Sequence, residues 1–178
     1  MKKIVLFGSS NSSKSINQQL VNYTATLITD HQAKVIDLRD YDTPIYSSDI
    51  ESESGIPTSI QSFKSLIDDS DAFVISIAEH NGNMTAFFKN IMDWLSRAEM
   101  KAFAGKPVLL MSVSPGKGGA QSALALTRKI MGYMAADIEH TYSLGSFYDK
   151  FDSASVQLSD TEEQAKLKTA VDGFLLQL

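Results

Sequence analysis

Apolar residues recur along this chain in two alternating spacings. Short, nearly unbroken runs at 4–7, 72–78 and 108–113 suit strands buried on both faces. Between them the apolar positions spread to a three-to-four spacing, clearest at Phe87, Phe88, Ile91, Trp94 and Leu95, which suits helices with one buried side. The pattern predicts strands at Lys2 to Phe7, Lys34 to Leu38, Ala72 to Ala78, Pro107 to Val113 and near Asp137 to Tyr142. It predicts helices from about Ser15 to Thr29, Pro57 to Asp68, 84 to 98 with Asn83 as N-cap, Gly119 to Met134, and Thr161 to Leu176. Five strands alternating with five helices call for a parallel sheet covered on both faces, its three apolar runs at the centre.

Two stretches break the rhythm. Arg39 to Gly55 is too long for a routine connection and is expected to be a functional or mobile rim carrying Tyr46 and the acids from Asp49 to Glu53. Gly145 to Asp160 holds Phe147, Tyr148 and Phe151, which are expected to pack down. The 178 residues lie near the ~150-residue size of one domain, and no repeat or linker divides 1–178. The start, MKKIVLFG, breaks into Ser and Asn too early for a signal peptide or for a membrane span of about 20 apolar residues. A cytoplasmic protein without membrane attachment is expected. Having no cysteine removes disulfides, thiolate metal sites and thiol chemistry. The net charge of −5 comes from scattered acids, and without a basic stripe nucleic-acid binding has no electrostatic footprint.

Chemistry is expected in the loops after strands one, three and four. The first, Gly8 followed by Ser9 to Asn17, sets many hydrogen-bond donors at a helix amino terminus, where free amides and the helix dipole favour an anion. Its single glycine fits neither a Walker loop nor a dinucleotide fingerprint. A terminal monophosphate and a plain capped turn both suit it. The second, Glu79 to Gly82, stands at the carboxyl end of a parallel strand, where open α/β sheets place ligands, although polar loops there also occur without one. The third, Ser114 to Gly119, carries three glycines that admit a flat ligand or merely serve a turn. In a flavodoxin-like three-layer sandwich, a five-stranded parallel sheet in order 2-1-3-4-5, these three loops converge at the switch point. One would hold a phosphate and two would hold a ring.

These residues resemble the NADPH-dependent FMN reductase family. Its first loop, G-S-x-R-x-x-S-x-N, is matched by Gly8, Ser9, Ser15 and Asn17 with one extra residue between. Its P-E-Y-N signature and the helix L-K-N-A-I-D-W are similar to Glu79-His80-Asn81 and to the run from Phe88 to Trp94. Its third loop looks like Ser114 to Gly119, and its P-L-Y-x-x-D segment like Pro44, Ile45, Tyr46 and Asp49. Asn11 stands in the region of the family's arginine, Ala78 in place of its proline and His80 in place of its tyrosine.

The resemblance implies FMN as cofactor and NADPH or NADH as co-substrate. Ser9, Asn11, Ser15, Ile16 and Asn17 would then border the FMN phosphate. Glu79, His80, Asn81 and Gly82 would border the isoalloxazine, and Ser114, Gly116, Gly118 and Gly119 its pyrimidine end. Hydride would pass through the flavin to a small electrophile such as a quinone, azo compound, free flavin or metal oxyanion, with no side-chain nucleophile or metal. An FMN-binding electron carrier of the flavodoxin kind and a non-catalytic flavin-binding protein are the alternatives. His80 is open to two readings, proton donor or cavity wall, and Lys117 could attract the phosphate of NADPH. His31 and His140 lack ligand spacing. The helix at 84–98 carries more apolar circumference than one sheet face covers, which with the resemblance points to a homodimer or tetramer.

Overall fold

The structure, a computed structural model, describes residues 1–178. In chain order the elements are β1 (Lys3–Gly8), α1 (Ile16–Thr26), β2 (Gln32–Val35), a 3-10 turn (Leu38–Tyr41), α2 (Ser48–Ser54), α3 (Thr58–Asp68) and β3 (Ala72–Ile77). A hairpin of β4 (Glu79–His80) and β5 (Asn83–Met84) precedes α4 (Ala86–Ala98), β6 (Val108–Val113), α5 (Gln121–Tyr133) and β7 (Thr141–Leu144). The chain ends in α6 (Phe147–Lys150), the short pair β8 (Phe151–Asp152) and β9 (Gln157–Leu158), and α7 (Thr161–Leu175).

The main sheet is parallel, in the order β2-β1-β3-β6-β7. Counted by sheet strands alone this is the expected 2-1-3-4-5, and the order reverses between β1 and β3. Alternate residues of each central strand face opposite layers. Val5, Phe7, Phe73 and Ile75 pack with Ile60 and Phe63 of α3, Phe88 and Trp94 of α4, and Ala123 of α5. Ile4, Leu6, Val74 and Leu109 pack with Leu20 of α1 and with Leu167, Val171 and Phe174 of α7. The three strands with unbroken apolar runs are the buried central ones, as double-sided burial requires.

Departures from the sequence pattern fall at the margins. The second strand ends at Val35 rather than reaching Leu38, because Asp37 accepts the Arg39 N–H and starts the 3-10 turn that buries Leu38. The last sheet strand begins at Thr141, four residues beyond Asp137. Ile138 is buried against the other core without joining the ladder, and Asp137 makes only an isolated bridge to Pro107. Helix α1 stops at Thr26, three residues short of Thr29. The N-cap of α4 is Thr85, whose Oγ accepts the Phe88 N–H at 3.1 Å; Asn83 pairs with His80 in the hairpin instead.

The Arg39 to Gly55 stretch is a strap rather than a free rim. Asn90 Nδ2 donates to the carbonyls of Thr43 and Pro44 at 3.1 and 3.0 Å, and Tyr46 N–H donates to Asn90 Oδ1 at 2.8 Å. Trp94 Nε1 donates to Pro44 O at 2.8 Å, and the Tyr46 ring meets the indole edge-on at 5.0 Å. Beyond it Glu51 receives the Tyr46 hydroxyl and Arg97, and this carboxylate holds the Tyr46 phenol above its ordinary pKa. Much of the apolar circumference of α4 is thereby covered inside one chain: Phe88, Ile91, Met92, Trp94 and Leu95 are all buried. The chain's own strap is an apolar neighbour of this helix, while Phe87 stays partly exposed. In the 145–160 stretch Phe147 and Phe151 stack and are buried, whereas Tyr148 stands 69% exposed. No helix is long and apolar enough to cross a membrane.

Candidate functional site

The ends of β1 and β3 are tied together before any ligand surface begins. Gly8 closes β1 so tightly against α1 that an added Cβ would lie 2.8 Å from Gln18 N, which only glycine avoids. Ser9 follows, fully buried. Its N–H donates to Ser76 O at 2.9 Å, its Oγ accepts the Ala78 N–H at 2.9 Å, and its carbonyl accepts the Thr85 hydroxyl at 2.8 Å. One serine therefore latches the first loop to β3 and to the cap of α4. Ser9, expected to border a phosphate, turns inward and lies outside the lining of the switch-point cavity.

A second link carries the latch to α1. Ser76, the polar residue within the apolar run of β3, donates its hydroxyl to Asn17 Oδ1 at 2.7 Å. Asn17 is 4% exposed, and its amide nitrogen donates to nothing in the protein. Ser15 caps α1, its Oγ accepting the Gln18 N–H at 3.3 Å, while the N–H groups of Ile16 and Asn17 are left free by helix geometry.

Outside this latch lies a cavity of about 250 Å³ at the switch point. The first loop lines it through Ser10, Ser12, Lys14, Ser15, Ile16 and Asn17. The second contributes Ala78, Glu79 and His80, the third Val113, Ser114 and Pro115, and Tyr148 closes one side. The convergence expected of the three loops is what the fold produces. Lys14 is the one lysine or arginine in the lining and enters no ion pair.

The remaining expected residues are placed elsewhere. Asn11 is exposed and borders a different cavity of about 380 Å³ with Tyr46, Phe87 and Asn90. Asn81 and Gly82 form the two-residue turn of the β4–β5 hairpin, with φ of 55° and 76°, and lie outside the lining. Gly116 and Gly118 are exposed beyond the rim. Gly119 is buried, with φ of 60°, and its carbonyl accepts the hydroxyls of Ser112 at 2.6 Å and Ser143 at 2.9 Å, so it anchors the third loop from behind.

Ser10, Ser12, Lys14, Pro115 and Tyr148 line the cavity without having been singled out as contacts. Ser76 and Thr85 support it from the second row. A serine interrupting an apolar strand was the available signal for Ser76; nothing local marked Tyr148. No group of three or more His, Asp or Glu side chains is arranged to hold a metal ion.

A family model described as NADPH-dependent FMN reductase matches residues 1–149. A quinone reductase of Escherichia coli (strain K12) is 36% identical over 96 residues, covering 53% of this chain and 50% of that protein. The chain thus matches about half the length of that relative. An NAD(P)H:quinone oxidoreductase of Solanum tuberosum is 27% identical over 165 residues, covering 88% of this chain and 82% of its own. Among solved structures, the flavoenzyme NAD(P)H:(acceptor) oxidoreductase FerB from Paracoccus denitrificans superposes with a TM-score of 0.83 at 22% identity. It covers 98% of this chain and 96% of that one, a likeness of fold.

Proposed function

The chain belongs to the NADPH-dependent FMN reductase family, and from that premise we propose that it is an FMN-dependent NAD(P)H oxidoreductase acting on a small electrophilic acceptor: a quinone, azo compound, free flavin or metal oxyanion. The observation that carries the reading is the single cavity lined by all three loops at the switch point, with the unpartnered amide of Asn17 at its back. The fit is chemical. The Asn17 amide, the free N–H groups opening α1, the Ser10 and Ser12 hydroxyls and the Lys14 ammonium form a donor set for a phosphate dianion. A cavity of about 250 Å³ is smaller than the ~300–1,000 Å³ of a fully enclosing site. In this reading it would take the phosphate end, with His80 and Pro115 bordering the ring.

FMN, when bound, supplies the two-electron chemistry, taking hydride from a reduced nicotinamide and giving it to the acceptor. The chain's own residues do the rest. Asn17, Ser15 and Lys14 hold the phosphate, and the Ser9 latch fixes the spacing between the phosphate loop and the ring loop. His80, the imidazole in the lining, would border the ring as cavity wall, proton donation to a reduced acceptor being its alternative role. Homodimerisation belongs to the same proposal, resting on family membership alone.

The test is to reconstitute the purified chain with FMN and record its visible spectrum before and after NADH or NADPH without oxygen. Stoichiometric uptake and bleaching by a nucleotide are expected. A folded protein that takes up no FMN overturns the reading. Uptake without reduction by either nucleotide selects the electron carrier.

A further inference from the structure

A hollow larger than the switch-point cavity lies elsewhere in the molecule. A basin of about 670 Å³ lies along the outer edge of β7, between the β6–α5 loop, α6 and α7. Its lining is almost wholly polar, and three lysines enter it from three elements: Lys117, Lys150 and Lys166. One carboxylate, Glu163, faces them. Its charge is already engaged, for Lys150 lies 2.9 Å and Lys166 3.4 Å away and the Tyr142 hydroxyl donates to it at 3.0 Å. Burial pulls the Glu163 carboxyl upward, but the bonds from Lys150 and Tyr142 outweigh it and hold the group below its ordinary pKa. Lys117 has no ion-pair partner, whereas Lys166 is held also by Glu162 at 2.7 Å. The basin thus carries one lysine beyond its paired carboxylates, on a chain whose net charge is −5, where a basic surface is not the background.

The floor adds donors. Leu110 N–H reaches His140 O, and Ser114 N–H reaches Leu144 O. Parallel pairing then directs the amides of Tyr142 and Leu144 to β6 and those of Thr141 and Ser143 outward along the open edge. The hydroxyls of Thr141 and Ser146 and the Gln121 carboxamide complete the wall. A lysine beside an open edge also deters strand pairing. That role needs no convergence of three ammonium groups on one hollow.

We propose that this basin binds a small phosphorylated molecule carrying at least two negative charges, at a place separate from the switch-point cavity. The two hollows are partitioned by backbone: Ser146 N–H donates to Gly116 O at 2.8 Å, and Phe147 N–H donates to Ser114 O at 3.2 Å. Ser114 faces one hollow and Ser146 the other. A nucleotide phosphate and free diphosphate share the required chemistry. The proposal does not depend on the flavin reading.

Calorimetric titration of the full chain at low ionic strength tests it, with inorganic pyrophosphate, 5′-AMP and uncharged adenosine as probes. Pyrophosphate binds and adenosine does not. Binding of 5′-AMP as well assigns the site to a nucleotide phosphate, and its failure assigns it to free phosphate. Lys117→Gln weakens pyrophosphate about tenfold, one charge-assisted contact being lost. Glu163→Gln shifts it the other way, several-fold tighter, because it frees Lys150 from its carboxylate partner. Lys14→Gln, which alters the switch-point cavity, is titrated alongside to tell the two hollows apart. No heat with pyrophosphate, adenosine binding as well as 5′-AMP, or an affinity that follows Lys14 and ignores Lys117 overturns the proposal.

Discussion

The first loop and the strap from Thr43 to Ile50 are both polar, irregular segments, and both are fixed, but the grip runs in opposite directions. In the first loop the loop's own side chains reach inward: Ser9 accepts from Ala78, and Asn17 accepts from Ser76. In the strap the backbone is what is held, by Asn90 and Trp94 reaching out from α4. A segment that grips with its side chains has a constrained sequence. A segment gripped by its backbone leaves most of its own sequence free, Tyr46 against Trp94 excepted, and places the main constraint on the partner helix.

The largest expected effect comes from forcing the first loop to let go. Ser9→Asp puts a carboxylate where there is no exposure and no cation, and an unpaired buried charge costs several kcal/mol of a total near 5–15 kcal/mol. The variant is expected to lose at least about 10 °C in melting temperature or to fail to fold. Ser9→Ala, which only orphans the Ala78 N–H, should cost about 1–3 kcal/mol in urea unfolding. A Ser9→Asp protein as stable as the parent would mean that this serine faces solvent and that no latch exists.

For the strap, the sensitive residue should lie outside it. Asn90→Ala removes three hydrogen bonds, and at about 0.5–1.5 kcal/mol each the loss is about 1.5–4.5 kcal/mol, with faster proteolysis between 43 and 55. Ser48→Asp, exposed within the strap itself, should change stability by less than about 0.5 kcal/mol. If Ser48→Asp proved as damaging as Asn90→Ala, the contrast between the two kinds of grip would collapse.

The same contrast explains what could be read from the sequence. Central strands announce themselves because burial on both faces leaves no polar position, and β1, β3 and β6 were placed within a residue or two. The edge strands β2 and β7 were displaced toward Leu38 and Ile138, buried residues that pack beside the sheet without pairing in it. The run from Lys89 to Trp94 was legible as a motif but not as a structure. Lys89 and Asp93 form an exposed pair at 2.6 Å, whereas Asn90 and Trp94, one turn apart, hold the strap. Tyr46 apart, the strap's own residues carry no trace of being held, so it read as a functional or mobile rim. Asn81-Gly82 read only as a ring border, although it is a hairpin turn with both residues at positive φ. Which serines face the ligand was not legible, because Ser9, Ser10 and Ser12 differ only in direction.

Asn17 tests whether the free amide matters to a ligand as its carbonyl oxygen matters to the latch. Asn17→Asp keeps an acceptor for the Ser76 hydroxyl and replaces the unpartnered amide with negative charge. FMN affinity should fall about ten- to a hundredfold, from a lost charge-assisted bond of about 1.5–3 kcal/mol, measured by fluorescence quenching. The flavin-free protein should still fold cooperatively. Unchanged affinity would remove Asn17 from the phosphate site while leaving its part in the latch intact.

Lys14 gives the smallest effect and the finest division, because it lies on the first loop yet takes no part in the latch. It is exposed and unpaired at the cavity rim, so Lys14→Gln should leave the melting temperature within about 1–2 °C, as for other surface changes. An exposed charge pair contributes about 0.2–1 kcal/mol, so FMN should bind about two- to fivefold more weakly at low salt. Screening supplies the stronger readout. The parent's affinity should decline between 0.01 and 0.15 M salt as the Debye length contracts from about 30 to 8 Å, and the variant's should decline less. Equal salt dependence in the two proteins would mean that the phosphate is held by neutral donors alone, with Asn17, the Ser10 and Ser12 hydroxyls and the α1 amides sufficient. A flattened dependence in Lys14→Gln would show that the outer side of the loop reads charge while its inner side, through Ser9, only sets position.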